Sequence, residues 1–172
     1  MVERLREAIR DVHGFPKAGI VFKDITPILG DGELFRGSID LLCETAGGVE
    51  VDKIVGIDAR GFIFAAAVAD RLGVGFVPVR KKGKLPWKCI EEPYALEYGE
   101  AVVEIHEDAV KPGEKVLLVD DLLATGGTAA AAVKLLEGLG AEIVAVSFLI
   151  ELSFLNGRDK LPGGKVRSIL NY

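Results

Sequence analysis

Two adjacent aspartates followed by a turn of small residues form the part of this sequence best equipped for chemistry. Asp120 and Asp121 follow the apolar run Val116–Val119. The residues after them read Leu122-Leu123-Ala124-Thr125-Gly126-Gly127-Thr128. Glycines let the backbone approach a ligand closely, and the N–H groups of a turn that opens a helix attract an anion. The turn, which also carries two threonine hydroxyls, is therefore predicted to bind phosphate.

The two aspartates would repel a phosphate, so they need a different partner. Carboxylates accept hydrogen bonds from vicinal hydroxyl groups and attract divalent cations. A phosphate and a diol side by side describe a ribose 5-phosphate. The alternative is that the aspartates only end a strand and Gly126-Gly127 only form a turn, which would leave the other residues unexplained. Because neither G-x-x-x-x-G-K-[ST] nor G-x-G-x-x-G occurs, a triphosphatase loop and a dinucleotide fingerprint are excluded.

A cluster of cations in an acidic chain is a second candidate site. The sequence has 21 Lys and Arg against 26 Asp and Glu, a net charge of −5, which argues against a nucleic-acid binder. Five of the cations nevertheless lie close together: Arg80, Lys81, Lys82, Lys84 and Lys88. The cluster predicts a site for a compact anion, and the alternative is a solvated basic surface.

Short β-branched runs alternate with amphipathic segments along the chain, a pattern typical of a parallel sheet with helices on its faces. Strands are predicted over 54–57, 76–79, 116–119 and 143–150, and helices over 62–72 and 128–139. The fold class is therefore α/β, a central mostly parallel sheet flanked by helices, in a single domain over 1–172. Ligands of such sheets lie at the carboxyl ends of the strands, which is where the aspartates and the turn are expected.

Two segments do not fit this alternation. Residues 80–99 are long, basic and proline-containing, and residues 94–105 alternate around Gly99 as in a β-hairpin. This length predicts a functional loop rather than a simple connection. Residues 15–24 mix proline and glycine with aromatic residues, and they are predicted to be an irregular lid over a pocket.

Composition excludes several other classes of protein. The chain has no apolar run of the ~18 residues that cross a bilayer, and residues 1–10 lack the apolar core of a secretory signal. Cys43 and Cys89 are too few for a disulfide framework and fit a reducing cytoplasm. With only two histidines in the chain, a His-based zinc site is not expected.

The segment Val116–Thr128 resembles the phosphoribosyl-pyrophosphate signature of the type I phosphoribosyltransferases. Further segments resemble the branch of that family that uses adenine: residues 19–27, 56–62, 80–86 and 96–99. Ala59 departs from the serine that is frequent there, and residues 87–92 are a variable part of the loop. The resemblance implies the type I phosphoribosyltransferase fold, with a small N-terminal hood over about 1–30 and a mobile hairpin loop over about 80–99.

The resemblance also implies a reaction. The 5-phosphoribosyl group would pass from 5-phosphoribosyl 1-pyrophosphate to adenine, giving AMP and pyrophosphate in purine salvage. Mg²⁺ would be the cofactor, carried by the substrate rather than by direct protein ligands. In this family part of the mobile loop can reach the neighbouring subunit, so a homodimer without nucleic-acid or membrane partners is expected in the cytoplasm.

The roles that the resemblance implies for single residues fall into four groups. The ribose 5-phosphate would be bound by Asp120, Asp121, Ala124, Thr125, Gly126, Gly127 and Thr128. The pyrophosphate would be bound by Asp58, Ala59, Arg60, Arg80, Lys81 and Lys84. Adenine would be bound by Val21, Phe22, Lys23 and Leu122, with a ring sandwiched between Phe22 and Leu122. The catalytic group would be Arg60, Asp120, Asp121 and Glu97, the last exchanging a proton with purine N7.

Simpler interpretations remain open for several of these residues and for the function. Phe22 could be a core aromatic, Glu97 a solvated strand residue, and Arg60 a surface residue, although a cation at a helix start opposes the helix dipole. Another purine or pyrimidine phosphoribosyltransferase is a second function, disfavoured by residues 22–27. A regulator that senses phosphoribosyl pyrophosphate is a third, disfavoured because residues 1–15 are too short for a DNA-binding module and the net charge is −5.

Overall fold

Two units, Met1–Leu41 and Leu42–Tyr172, make up this protein. The structure is a computed structural model and describes residues 1–95 and 99–172. The first unit contains α1 (Val2–Ala8), β1 (Arg10–His13), β2 (Val21–Asp24), α2 (Thr26–Gly30) and most of α3 (Gly32–Glu44). The predicted single domain and the extent of the hood stay predictions.

The first unit is built around a two-stranded antiparallel sheet. Arg10 of β1 lies opposite Asp24 of β2, and His13 lies opposite Val21. The prediction of an irregular segment over 15–24 was therefore wrong for its second half, which forms β2. The four residues of β2 are too few for an alternating pattern to be visible in the sequence, so only the pairing with β1 defines the strand.

The second unit contains a seven-stranded sheet in the order β5-β6-β4-β3-β7-β8-β9. Its elements are β3 (Lys53–Ile57), α4 (Gly61–Leu72), β4 (Gly75–Lys81), β5 (Cys89–Ala95), β6 (Glu100–His106), β7 (Lys115–Leu123), α5 (Gly127–Gly138), β8 (Glu142–Glu151), 3-10 helices over Ser153–Leu155 and Gly157–Lys160, and β9 (Val166–Asn171). The neighbouring strands β4, β3, β7, β8 and β9 run parallel to one another. Strand β6 pairs antiparallel with β4 on one side and with β5 on the other. The predicted α/β class with a mostly parallel sheet is confirmed.

Helices cover both faces of this sheet, which explains why its central strands are almost wholly apolar. Val55 and Ile57 of β3 pack in one cluster with the alanine-rich side of α5. The residue between them, Gly56, faces α4, because an added Cβ would meet Ala65. Successive strand residues point to opposite faces, so β3 is buried on both sides.

Within the described residues, strands occupy both sides of the predicted loop over 80–99, and residues 82–88 connect them. β4 extends to Lys81, and β5 pairs with β6 along its length, from Cys89 opposite His106 to Ala95 opposite Glu100. The predicted hairpin around Gly99 is thus confirmed. Glu97 lies outside the described residues, and whether this segment moves stays a prediction.

None of the helices within 1–95 and 99–172 is long and apolar enough to cross a membrane.

Core packing behind α5 can be tested with one leucine. Leu136 is fully buried in the cluster under α5, whereas Leu72, near the end of α4, is 39% exposed. We expect Leu136→Ala to lower the free energy of unfolding by about 2–5 kcal/mol, because it removes buried methyl groups and leaves a cavity. The matched control, Leu72→Ala, should cost about 0.5 kcal/mol or less. Equal losses in urea unfolding would contradict this packing.

Candidate active site

A cavity of about 330 Å³ lies at the carboxyl ends of β3 and β7. It is lined by residues 57–60, which lead from β3 into α4, and by residues 120–129, which comprise the end of β7, the turn after it and the start of α5. The carboxyl ends of parallel strands are the usual ligand-binding edge of an open α/β sheet. The cavity therefore lies where the sequence predicted a site, and it includes the predicted turn.

The sequence predicted that the two aspartates follow the end of the strand. In the structure they lie inside β7, which continues to Leu123. β3 pairs with β7 only as far as Gly56 opposite Val119, whereas β8 pairs with β7 as far as Leu123. Asp120 and Asp121 therefore lie on a stretch of β7 that β3 no longer covers. Their backbone is held by strand pairing with β8, while their side chains reach the cavity.

Asp120 is packed tightly against the start of α4. A Cβ added to Gly61 would overlap Asp120 Oδ1 and lie 3.2 Å from Asp120 Cα. Glycine is the residue that permits such a close approach. Gly61 was part of the sequence segment 56–62, but its contact with Asp120 could be found only in the structure.

Burial makes the charged forms of both aspartates costly. It raises the pKa of Asp120 well above its usual value, repulsion from Asp121 raises it further, and the hydrogen bond from Asp121 N to Asp120 Oδ1 (2.9 Å) acts against this. Burial also raises the pKa of Asp121, against the attraction of Arg60. A bound cation or a pair of hydroxyl donors would relieve this cost. Strongly perturbed carboxyls in a cavity are typical of functional sites.

Arg60 forms an ion pair with the second aspartate. Its Nη2 lies 2.8 Å from Asp121 Oδ2, and its side chain is 33% exposed. The residue occupies the N-cap position of α4, where a cation is disfavoured by the helix dipole. The interpretation of Arg60 as a solvated surface residue is therefore wrong, because Asp121 compensates this cost within the cavity.

Gly126 of the predicted phosphate turn has a left-handed φ of 79° and caps α5, the kind of backbone conformation for which a glycine is needed there. A Cβ at this position would also collide with the backbone carbonyl of Gly157, a contact that the sequence did not indicate. The close approach of this glycine to a ligand stays a prediction. Thr125 and Thr128 both line the cavity, together with the N–H groups that open α5.

Only part of the predicted pyrophosphate set comes together. Asp58, Ala59 and Arg60 line the cavity, whereas Lys81 and Lys84 do not. Arg80 is connected to it, because its Nε donates to Asp58 Oδ2 at 2.9 Å. Lys81 follows Arg80 within β4, so its side chain points to the opposite face of the sheet. The charge pattern could not distinguish these two neighbours.

Two further cations of the cluster face carboxylates outside the cavity. Lys82 Nζ lies 2.8 Å from Glu91 Oε2, and Lys88 Nζ lies 4.0 Å from Glu107 Oε1. Both lysines are more than half exposed. The simpler interpretation, a solvated basic surface, therefore holds for this part of the cluster.

Glu104 is a residue of this region that the sequence analysis missed. It is 4% exposed in β6, and its Oε1 accepts hydrogen bonds from the backbone N–H groups of Lys84 (2.9 Å) and Leu85 (2.8 Å). Burial would raise its pKa, but these donors outweigh burial and lower it. A glutamate that alternates with valine and isoleucine looks solvent-facing in the sequence, so nothing there indicated this contact.

The predicted adenine residues lie in both units. Val21, Phe22 and Lys23 belong to β2, and Leu122 lines the cavity in the second unit. The Phe22 ring is half-buried and meets the edge of the Phe15 ring, with centroids 5.1 Å apart. Lys23 Nζ donates to Asp11 Oδ1 at 2.7 Å. Their roles toward adenine stay predictions, as does that of Glu97.

Three aspartates line the cavity, Asp58, Asp120 and Asp121, and oxygen ligands of this kind suit Mg²⁺. Among residues 1–95 and 99–172, no group of three or more His, Cys, Asp or Glu side chains is arranged to hold a metal ion. The paired carboxylates of Asp120 and Asp121 are the oxygen ligands closest to that chemistry. The predicted Mg²⁺, carried by the substrate rather than by direct protein ligands, stays a prediction.

Comparison with known proteins identifies the family. The model of the Phosphoribosyl transferase domain matches residues 36–161. The adenine phosphoribosyltransferase of Anaeromyxobacter dehalogenans (strain 2CP-1 / ATCC BAA-258) is 57% identical over 172 residues, which is 100% of both chains. The chain belongs to the adenine phosphoribosyltransferase family.

Solved structures of adenine phosphoribosyltransferases agree with this assignment. The crystal structure from Thermoanaerobacter pseudethanolicus ATCC 33223 is similar with a TM-score of 0.96 and 50% identity over 100% of both chains. That from Saccharomyces cerevisiae, complexed with D-2,5-dideoxy-2,5-imino-altritol 1,6-bisphosphate and adenine, has a TM-score of 0.93 and 44% identity over 98% of both chains. The resemblance drawn from Val116–Thr128 is thereby confirmed, and the matched region of this adenine phosphoribosyltransferase family member includes the whole cavity.

The hydrogen bonds of Glu104 predict a pH-dependent stability. Because its folded pKa is lowered, its contribution is complete above the unfolded value of about 4.3 and is lost as pH falls through the folded value. We expect Glu104→Gln to lower the free energy of unfolding by about 1–3 kcal/mol at neutral pH, with the difference from wild type shrinking below about pH 4. Urea unfolding across this range measures it.

Glu100→Gln is the matched control for this experiment, because Glu100 is an exposed glutamate of the same strand. It should change stability by about 0.5 kcal/mol or less at every pH. A Glu104→Gln deficit that persists unchanged into acid would show that the charge of Glu104 is not involved.

Proposed function

We propose that this chain transfers the 5-phosphoribosyl group from 5-phosphoribosyl 1-pyrophosphate to adenine, giving AMP and pyrophosphate. This is a pentosyl transfer of purine salvage. The observation that carries the proposal is the convergence on one cavity of the phosphate turn, the paired aspartates and Arg60. Membership of the adenine phosphoribosyltransferase family identifies adenine as the acceptor.

The turn after β7 binds the 5-phosphate of the substrate. Its N–H groups open α5, where the helix dipole favours an anion, and Thr125 and Thr128 add hydroxyl donors beside Ala124, Gly126 and Gly127. The ribose hydroxyls then reach Asp120 and Asp121, which lie directly upstream on β7. The aspartates and the turn therefore follow each other along the chain as the diol and the 5-phosphate follow each other along the sugar.

The residues after β3 bind the leaving pyrophosphate. Arg60 supplies a cation in the cavity, and the loop of Asp58 and Ala59 lies beside it. Arg80 reaches the same loop through its hydrogen bond to Asp58. Lys81 and Lys84 join only if their segment changes position when substrate binds, which is the movement predicted for this loop.

Positive charge on the sugar ring is stabilised by the aspartates. Attack of adenine N9 on the anomeric carbon as pyrophosphate departs resembles glycoside chemistry, with an oxocarbenium-like transition state. Asp120 is held in place before the reaction by strand pairing with β8 and by its contact with Gly61, and Asp121 by its ion pair with Arg60. Fixed charges in a site that excludes water stabilise developing charge most effectively. The cost of keeping both carboxylates charged in the cavity is offset when positive charge develops on the sugar ring.

For the base, we carry over the predicted roles of Leu122, which lines the cavity, and of Val21, Phe22 and Lys23, which belong to β2 in the first unit. Glu97 exchanges a proton with N7, because a group within hydrogen-bond reach must balance the charge as N9 attacks. Magnesium supplies charge neutralisation of the pyrophosphate when it is bound with that substrate. The proposed location is the cytoplasm, which the low number of two cysteines supports. The proposed active form is a homodimer, as the resemblance implies.

The test of this function is product formation by the purified chain. Incubation with adenine, 5-phosphoribosyl 1-pyrophosphate and Mg²⁺ should produce AMP and pyrophosphate, detected by chromatography. Hypoxanthine, guanine and orotate serve as competing acceptors and should react much more slowly. Absence of AMP, or faster reaction of another base, would refute the proposal.

The catalytic role of the aspartates predicts a specific kinetic effect. Asp120→Asn and Asp121→Asn keep the shape of the side chain and remove its charge, so kcat should fall by about 10²–10³-fold. KM for phosphoribosyl pyrophosphate should change far less, because the lost interaction is strongest in the transition state. Asp108→Asn, at an exposed position outside the cavity, should leave both constants unchanged. A rise in KM alone would make the aspartates simple hydroxyl ligands.

A further inference from the structure

The phosphate turn rests on the backbone of a distant part of the chain. Gly157 opens the 3-10 helix over Gly157–Lys160. A Cβ on Gly157 would collide with the Ala124 carbonyl and lie 2.9 Å from Gly126 N, and a Cβ on Gly126 would collide with the Gly157 carbonyl. Two backbones are thus in direct contact with no side chain between them. The position of Gly157 therefore determines where the turn can lie.

Gly157 is itself held by the residue that follows it. Arg158 donates from Nε to Glu151 Oε1 at 3.0 Å and from Nη2 to Glu151 Oε2, a bidentate arrangement. Arg158 Nη1 also donates to Val166 O at 3.0 Å, and Ser168 Oγ donates to Glu151 Oε2. Paired forks of this kind are the strongest and most directional ion pairs. They tie the 3-10 helix to the ends of β8 and β9.

Glu151 connects this ion pair back to the turn. It is 5% exposed at the end of β8, and it lies opposite Leu123, the last residue of β7 before the turn. Leu152 N also donates to Leu123 O at 2.9 Å. The turn is therefore held at its start by backbone pairing with β8 and is contacted by the backbone of Gly157. Glu151 belongs to the first support, and its carboxylate is paired with Arg158, the residue that follows the second.

We propose that Glu151 and Arg158 are positioning residues for the 5′-phosphate turn. Their ion pair holds Gly157 against Ala124 and Gly126, and this contact orients the N–H groups of the turn toward the phosphate. The inference rests on the proposed function, since it assigns the turn to the phosphate of the sugar. Neither residue lines the cavity, so their effect on binding is transmitted through the backbone.

The alternative for Arg158 is direct contact with the phosphate, because its side chain is 46% exposed. The two roles predict opposite effects of Glu151→Gln. If Arg158 binds phosphate directly, removing the charge of its partner frees the guanidinium and tightens binding. If the pair positions the turn, the same change weakens it.

The experiment compares two probes that occupy different halves of the cavity. Isothermal titration with ribose 5-phosphate and with magnesium pyrophosphate is carried out on wild type, Arg158→Gln, Arg158→Lys and Glu151→Gln. We expect Glu151→Gln and Arg158→Gln to weaken ribose 5-phosphate binding by about 10–100-fold, since a displacement of about 1 Å in a preorganised site can have effects of this size. Pyrophosphate affinity should change by less than about twofold, because the contacts of residues 58–60 are untouched.

A matched control is Arg167→Gln. Arg167 is an arginine of β9 that also donates to the carbonyl of Val166, together with that of Gly164, but it has no contact with the turn. It should leave both affinities unchanged. Arg158→Lys keeps the charge and loses the bidentate geometry, so it should show the ribose 5-phosphate defect in reduced form, and it replaces Arg158→Gln if that variant does not fold.

Three results would overturn the inference: unchanged ribose 5-phosphate binding in Glu151→Gln, tighter binding in that variant, or parallel loss of both probes. Parallel loss would mark a general stability defect. A wild-type chain that forms no AMP and binds neither probe would refute the proposed function itself. A wild-type chain that forms AMP while Glu151→Gln binds ribose 5-phosphate normally would refute only the positioning role.

Discussion

Everything in the candidate active site depends on β7 running past the end of β3. The pairing of the two strands stops at Val119, while β8 continues to hold β7 up to Leu123. This difference in strand length exposes one edge of β7 and places two carboxylates there. Keeping them charged in a partly buried cavity is unfavourable, and Arg60 offsets part of the cost. Under the proposed function, the ligand would relieve this cost because it brings hydroxyl donors and developing positive charge.

Close backbone contacts give this edge its rigidity. Gly61 lets α4 begin directly against Asp120, and Gly126 and Gly157 let two loops touch without side chains. Because such contacts leave little freedom of adjustment, the turn and the aspartates keep a fixed spacing. The ligand of the proposed function, with a phosphate at one end and a diol at the other, would contact both. The close packing at these glycines therefore fixes the positions of the aspartates and of the turn.

The cations around the cavity show a division that charge alone does not reveal. Arg80 and Lys81 are neighbours in the sequence, yet strand alternation sends them to opposite faces of β4. Arg80 is tied to the cavity through Asp58, and the turn that carries Lys84 is held by the buried Glu104. For all five cations between Arg80 and Lys88 to contact one ligand, residues 80–88 would have to rearrange. In this structure Arg60 lines the cavity itself, whereas Arg80 is connected to the cavity only through Asp58.

The sequence by itself determined the α/β class, the strands β3, β4, β7 and β8 and the helices α4 and α5 in outline, the hairpin around Gly99 and the central motif Val116–Thr128, but not β9 or the 3-10 helices. These follow from hydrophobic periodicity and from turn residues, which act locally. The sequence could not determine that β7 outlasts β3, that Lys81 points away from Arg80, or that Gly126 is opposed by Gly157. Nor could it indicate the roles of Glu104, Glu151 and Arg158, since their partners lie between 7 and 20 positions away along the chain. Such contacts are decided by tertiary packing, because only the folded sheet brings those groups within hydrogen-bonding distance.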